Sequence, residues 1–387
     1  MLTREQVIAV YRQVLGRLPS EDEIAEQLAA GDLDNLLRIA IESEEYAVRL
    51  RNRRAESARD PTQVNVFHPD LAQWGLPAGT RSEDGAAIVG REGWLFLCGG
   101  SNANLGQYVG AVQMGTGWLV RWQDTIARRA AEMEALGVSS ALLVVPDKLA
   151  IYEELYPEDL DRVGPRPIER LLAVSDMPIV YPLDELLAAR ASGEELFPRT
   201  DTHFTFRGNE LLFSSVAGAL GIDQPPDHSG LPLDEYAMAG DLGVKFDPRI
   251  VSIVREPGSL GAAEIVEDNR EEIAGVGGHI GTRRVFRNES APDRRVAVVF
   301  GDSFGFAEPR YQGLSWFVAQ SFRETHFIWV PFGWDPDYVR RAGAEAVLVQ
   351  GAERFVARAP HLSVDAGQLA EETLRRKRPF GVEQVSS

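Results

Sequence analysis

Cysteine is almost missing: Cys98 is the single one in 387 residues, so no disulfide can form within the chain. That fits a reducing compartment. No apolar run approaches the ~20 residues a membrane span requires. The first residues, Met1-Leu2-Thr3-Arg4-Glu5-Gln6, pass straight into an amphipathic pattern. They lack the apolar core and small-residue cleavage site of a signal peptide. Basic residues are scarce beside acidic ones, 40 against 58, for a formal net charge of −18. Such a field repels phosphate backbones and anionic membranes, which argues against a nucleic-acid partner. These deficits together predict a cytoplasmic protein with no membrane span.

What is present is ordinary for a globular chain, with 44% apolar and 25% charged residues. The length suits one large domain and one small one. In the small one, Thr3 can cap a helix from Arg4, with Val7, Val10, Tyr11, Val14 and Leu15 at helical spacing. Ser20 and Glu23 have capping-box spacing for a second helix. Leu33, Leu36, Leu37, Ile39 and Ile41 make a third apolar stripe. Residues 1–55 therefore read as a helical module, and 56–87 as a linker containing His68 and Trp74. The basic run 49–54 reads as a solvated helix end.

From residue 88 to 365 strands and helices alternate. Ala87–Leu97 reads as two short strands around a Gly-containing turn. Ala141–Val145, Ile179–Val180, Arg295–Phe300, His326–Val330 and Ala346–Gln350 read as strands. Helices are expected over Trp118–Leu136, Pro167–Val174, Leu183–Ala191, Arg207–Leu220, part of Phe306–Phe322, and Asp337–Ala342. That alternation predicts an α/β fold, a mostly parallel sheet in three layers. Residues 221–290, rich in Gly, Pro and acid, read as an irregular or β-rich insertion, and 366–387 as a polar tail.

Gly301-Asp302-Ser303-Phe304-Gly305 follows the most apolar of these strands. A serine on a turn at a strand's carboxyl end is where α/β folds place reacting groups. A helix starting just after it would offer free N–H groups to an oxyanion. A serine hydroxyl needs a base, and the base an orienting acceptor. Of six histidines, His203 has Asp201 two residues before it. In an extended segment the two would point the same way. His68, His228, His279, His326 and His361 have no comparable neighbours. Asp201 with His203 as a metal site would need further ligands, and no nearby His or Cys supplies them. Asp302 reads as a turn residue.

Asp201-Thr202-His203-Phe204-Thr205-Phe206-Arg207-Gly208-Asn209 and Gly301-Asp302-Ser303-Phe304 resemble the alginate O-acetyltransferase branch of the SGNH hydrolase superfamily. Gly90–Leu97, Val145-Pro146-Asp147-Lys148 with Tyr156-Pro157, and Val347–Gln350 with Glu353-Arg354 resemble further segments of it in the same order. The resemblance implies a three-layer SGNH-like catalytic domain. Ser303 is then the nucleophile, His203 the base and Asp201 the orienter, acting through an acyl-serine. Arg310, Tyr311 and Lys148 are candidates for oxyanion or substrate contacts. It further implies a carbohydrate acceptor, an acetyl donor and no bound cofactor or metal. A carbohydrate acetyl esterase, or a non-catalytic glycan-binding or assembly protein, are the alternatives. Residues 1–55 resemble a helical module attached to bacterial surface-layer and carbohydrate-active proteins, a place for an acyl-donor or glycan-synthesis partner to dock. Alginate-modifying members are exported, whereas the N-terminus here carries no signal pattern.

Overall fold

The computed structural model describes residues 2–11, 18–30, 36, 76–99, 102–173, 179–247, 249–308 and 311–377. Most of the third apolar stripe, the 49–54 run, His68, Trp74, Arg310 and residues 378–387 lie outside them. At the N-terminus, Thr3 and Gln6 form a capping box on the helix Arg4–Val10. Ser20 and Glu23 exchange the same pair of bonds at the helix Glu21–Ala30.

Strands β1 (Ala87–Val89) and β2 (Leu95–Leu97) pair as the expected hairpin. Then come β3 (Ser139–Val145) and β4 (Ile179–Val180). An outlying hairpin follows, β5 (Leu233–Met238) with β6 (Ser252–Pro257). Next are β7 (Glu264–Asp268), β8 (Arg283–Arg287) and β9 (Asp293–Gly301). The two-residue strands β10 (Ala307–Glu308) and β11 (Tyr311–Gln312) pair with each other. Last are β12 (Phe322–Trp329) and β13 (Ala346–Ala352).

Seven of these make one sheet in the order β4-β3-β13-β9-β12-β8-β7. The first five are parallel; β8 and β7 add antiparallel at one edge. Both faces are covered, which is why the central strands carry continuous apolar stretches such as Val296–Phe300 and Ala346–Val349. Along β9, Val296, Val298 and Phe300 pack with the helices Trp118–Leu136, Pro167–Leu172 and Pro336–Ala342. Ala297 and Val299 pack on the other side, with Phe206–Ala217 and Leu314–Ser321. The three layers follow from this alternation of side-chain direction.

Three expectations change. The 221–290 stretch is not an insertion beside the sheet: β7 and β8 belong to the sheet itself. The stretch from 366 is not tail at first but the helix Ala366–Lys377. That helix seats against Gly281, where an added Cβ would lie 2.5 Å from the Ala370 amide, and Thr373 donates to the Ile280 carbonyl. Finally, the helix after the serine begins only at Leu314, beyond the β10–β11 hairpin.

Candidate active site

Strands β3, β13 and β9 are parallel neighbours, so their carboxyl ends lie side by side. Each ends in charge: Asp147-Lys148, Glu353-Arg354 and Asp302. These ends are tied together. Arg354 Nη1 donates to Asp147 Oδ1 at 2.5 Å, with both residues buried. Asp302 Oδ2 accepts the Ala352 N–H at 2.7 Å, and Oδ1 accepts Gln350 Nε2 at 2.8 Å. The Gln350 Oε1 accepts the Asp302 N–H in return. Gly301 makes this approach possible, since a Cβ there would sit 2.5 Å from Gln350 Oε1.

Half-buried Ser303 therefore stands on a turn pinned from below. Asp302 Oδ1 also takes the Phe304 N–H, and its carbonyl takes those of Gly305 and Phe306. Those three amides are spent inside the turn. Leu314 and Ser315, the first residues of the late helix, bond back to the carbonyls of Phe304 and Gly305. The helix start thus braces the turn instead of offering donors at the serine, which corrects the sequence expectation.

Asp201 and His203 lie on the segment before the helix Phe206–Ala217, whose N-cap is Thr205. They meet through a turn, not through extended chain. Asp201 Oδ1 accepts the His203 backbone N–H at 2.7 Å and faces His203 Nδ1 at 2.7 Å. One oxygen so fixes both the main chain and the ring. The His203 side chain keeps 20% exposure, an open edge on an otherwise buried group. Its ring centroid lies 5.1 Å from that of Phe304, the residue after the serine. This contact joins the His203 segment to the Ser303 turn.

Electrostatics follow from the packing. Burial opposes a charged His203, but the charge and hydrogen bond of Asp201 outweigh it, and the imidazole pKa is raised. Burial would raise the Asp201 pKa, yet the charge and bonds of His203 bring it down to about 2. Perturbed titrating groups in contact make this pair a candidate functional site.

Lys148 is buried and its Nζ bonds the carbonyls of Pro198, Arg199 and Asp201 at 2.8, 2.8 and 3.0 Å. All three of its donors serve the His203 segment, and burial lowers its pKa to about 7. It lies against that segment as a main-chain brace and presents no open cation to a substrate. Arg310 is outside the described residues, and Tyr311 is described only as backbone, pairing with Glu308.

Sequence reasoning missed Asp241. Asp201, His203 and Asp241 each place a metal-ligand type of atom within 4.8 Å of the others. Yet His203 Nδ1 faces Asp201, and both Asp241 oxygens accept from Thr202. The cluster is a hydrogen-bonded unit with its ligand atoms already committed.

The model of one family, the SGNH hydrolase-like domain of acetyltransferase AlgX, matches residues 87–241. No curated protein matches. Among solved structures, the O-acetyltransferase domain of Pseudomonas putida AlgJ is 18% identical, with a TM-score of 0.42 over 75% of this chain and 99% of that one. Bacillus cereus PatB1 is 14% identical, with a TM-score of 0.44 over 66% and 94%. Pseudomonas aeruginosa AlgX is 11% identical, with a TM-score of 0.35 over 76% and 65%. Relatives of the AlgX and AlgJ type are periplasmic, which overturns the cytoplasmic expectation. A single cysteine and a polar N-terminus are compatible with either compartment, so composition was a weak guide. Among the described residues no helix is long and apolar enough to cross a membrane. The strand-end turns at 145–148, the paired Asp201 and His203, and Asp241 all lie within residues 87–241, the stretch that matches the SGNH hydrolase-like domain of acetyltransferase AlgX.

Proposed function

We propose that this protein is an O-acetyltransferase that moves an acetyl group to a carbohydrate hydroxyl through an acetyl-serine at Ser303. The observation that carries the reading is the 2.7 Å contact between Asp201 Oδ1 and His203 Nδ1, on a segment packed against the serine turn. An imidazole whose Nδ1–H is held by a carboxylate presents Nε2 as the base.

In the first half-reaction Ser303 Oγ attacks the donor's acetyl carbonyl carbon, and its proton passes to His203 Nε2. The tetrahedral intermediate collapses, the donor's C–O or C–S bond breaks, and the leaving group takes that proton. In the second, a sugar hydroxyl attacks the acetyl-serine and gives its proton to His203. Collapse then breaks the bond to Oγ, which recovers the proton. Asp201 stays ionised throughout, in keeping with its lowered pKa. With the amides of residues 304–306 spent on Asp302, the Ser303 N–H is the remaining main-chain donor of the turn for the oxyanion.

Intact-mass analysis after incubation with a chromogenic acetyl ester tests the reading. Wild-type protein is expected to gain one acetyl group and to release the chromophore; Ser303→Ala does neither while keeping its melting temperature. Undiminished turnover in that variant would sink the role of Ser303. With a panel of oligosaccharides added, acetylated sugar supports transfer. Free acetate as the sole product makes the protein an esterase, since water then captures the same intermediate.

A further inference from the structure

The segment 198–203 has no regular structure of its own, so its polar groups need partners from elsewhere. Lys148 Nζ donates to three of its carbonyls, as described. Further partners come from a short helix, Gly240–Gly243, about forty residues later in the chain. The Thr200 carbonyl accepts the N–H groups of Leu242 and Gly243 at 3.2 and 3.1 Å. The Asp241 carboxylate takes the Thr202 N–H at 2.7 Å and the Thr202 hydroxyl at 2.5 Å. Its own backbone N–H then donates to Asp201 Oδ2 at 3.0 Å. Both oxygens of Asp201 are thereby held, Oδ1 by His203 and Oδ2 by Asp241.

Gly240 makes room for this. Its φ is +61°, and a Cβ there would lie 2.5 Å from both Asp201 Oδ2 and the Thr200 carbonyl. Glycine alone adopts that conformation at that closeness.

We propose that Asp241, seated by Gly240, is a positioning residue of the acyl-transfer site: it locks the turn between Asp201 and His203 and sets the plane of the Asp201 carboxylate against the imidazole. The inference rests on the reading of Ser303, His203 and Asp201 given above. Asp241 is itself exposed, but a loop anchor alone needs no second negative charge within hydrogen-bonding range of Asp201. Desolvation by the surrounding protein and the Asp201 charge raise the Asp241 pKa, so the arrangement opposes its own ionisation. In return, the Asp241 charge adds to that of Asp201 in favouring protonated His203. The other groups facing this unit are Arg354, which acts against protonated His203, and Lys148, which faces Asp201. Glu256, on β6, feels the Asp201 charge from farther out.

The test uses the full chain, as wild type, Asp241→Asn, Asp241→Ala and Ser303→Ala, on a chromogenic acetyl ester between pH 5 and 9. The His203 ring is titrated by NMR in parallel. Asp241→Asn keeps an acceptor for the Thr202 N–H but removes the charge. It is expected to lower kcat about tenfold with KM within about twofold, and to move the acid limb and the His203 titration to lower pH. Asp241→Ala, which also loosens the turn, is expected to lose about 100-fold in kcat. The proposal is overturned if Asp241→Asn leaves both the acid limb and the His203 titration where they were, or if both variants keep kcat within about twofold of wild type. Should Asp241→Ala fail to fold, Asp241→Asn decides alone. If Ser303→Ala retains activity, the acyl-serine reading fails instead, and the NMR titration still judges Asp241.

Discussion

Asp201 Oδ1 carries two bonds from His203, one from the main chain and one from the ring. Replacing Asp201 with Asn puts an amide in a place that must accept, so the ring turns or takes the wrong tautomer. We expect Asp201→Asn to cost about 1,000- to 10,000-fold in kcat on an acetyl ester, with the circular dichroism spectrum unchanged. A loss below about tenfold would dissolve the pairing as a functional one. The raised His203 pKa fixes a second outcome. The base must be neutral, so activity rises with pH through that pKa. The acid limb of kcat/KM should then lie above the ~6.5 of an unperturbed imidazole, and a limb below it would contradict the assignment. The Asp201 and His203 pairing was legible because the two stand two residues apart. Asp241 was not, because it lies forty residues away in a stretch with no periodicity, and Gly-Asp recurs in many turns. Nor could the position of Lys148 be read, since its partners are main-chain carbonyls, which leave no mark in a sequence.

The central strands were legible because burial on both faces makes them unbroken apolar runs. β7 and β8 escaped for the opposite reason. β7 reads Glu-Ile-Val-Glu-Asp, largely exposed at the sheet edge, and β8 has arginines at both ends. The helix Phe206–Ala217 was expected one residue late, and what starts it is also remote. Its first N–H, at Phe206, donates to Glu256 Oε1 on β6 at 3.1 Å. Burial raises the Glu256 pKa to about 8, with the Asp201 charge adding to the effect. Folded protein therefore holds a proton on Glu256 between the unfolded value of about 4.3 and about 8, where the unfolded chain does not. That contribution to stability is full below about pH 4.3 and is lost as pH rises through about 8. Glu256→Gln mimics the protonated acid and keeps an acceptor for Phe206. It should unfold at the same urea concentration as wild type near pH 4. Near pH 8.5 it should be the more stable of the two, by at least about 1 kcal/mol. Equal stability at both values would mean that Glu256 is ionised in the fold.

The whole chain divides by where its buried side chains meet. The two large clusters that sandwich the sheet draw on residues from Ile88 to Ala366. A third, under the β1–β2 hairpin, joins Ala87, Val89 and Leu95 to Leu242 and Phe246. Among the described residues, none of these three contains one from the first helices, where Val7, Val10, Tyr11 and Ile24 are buried. The surface ion pair there, Arg4 with Glu21, also stays within the N-terminal helices. Removing residues 1–55 should then expose no part of the sheet's core and disturb none of the contacts around Asp201, His203 and Ser303. We expect the shortened protein to hydrolyse a small acetyl ester with kcat within about twofold of the full chain and to melt in one cooperative transition. Transfer to an oligosaccharide is compared in the same two proteins. A loss of transfer with ester turnover intact would give the N-terminal helices a part in presenting donor or acceptor, the docking role expected of them from sequence. Loss of ester turnover itself would mean that the first helices complete the catalytic domain, and the boundary drawn near residue 55 would have to be abandoned.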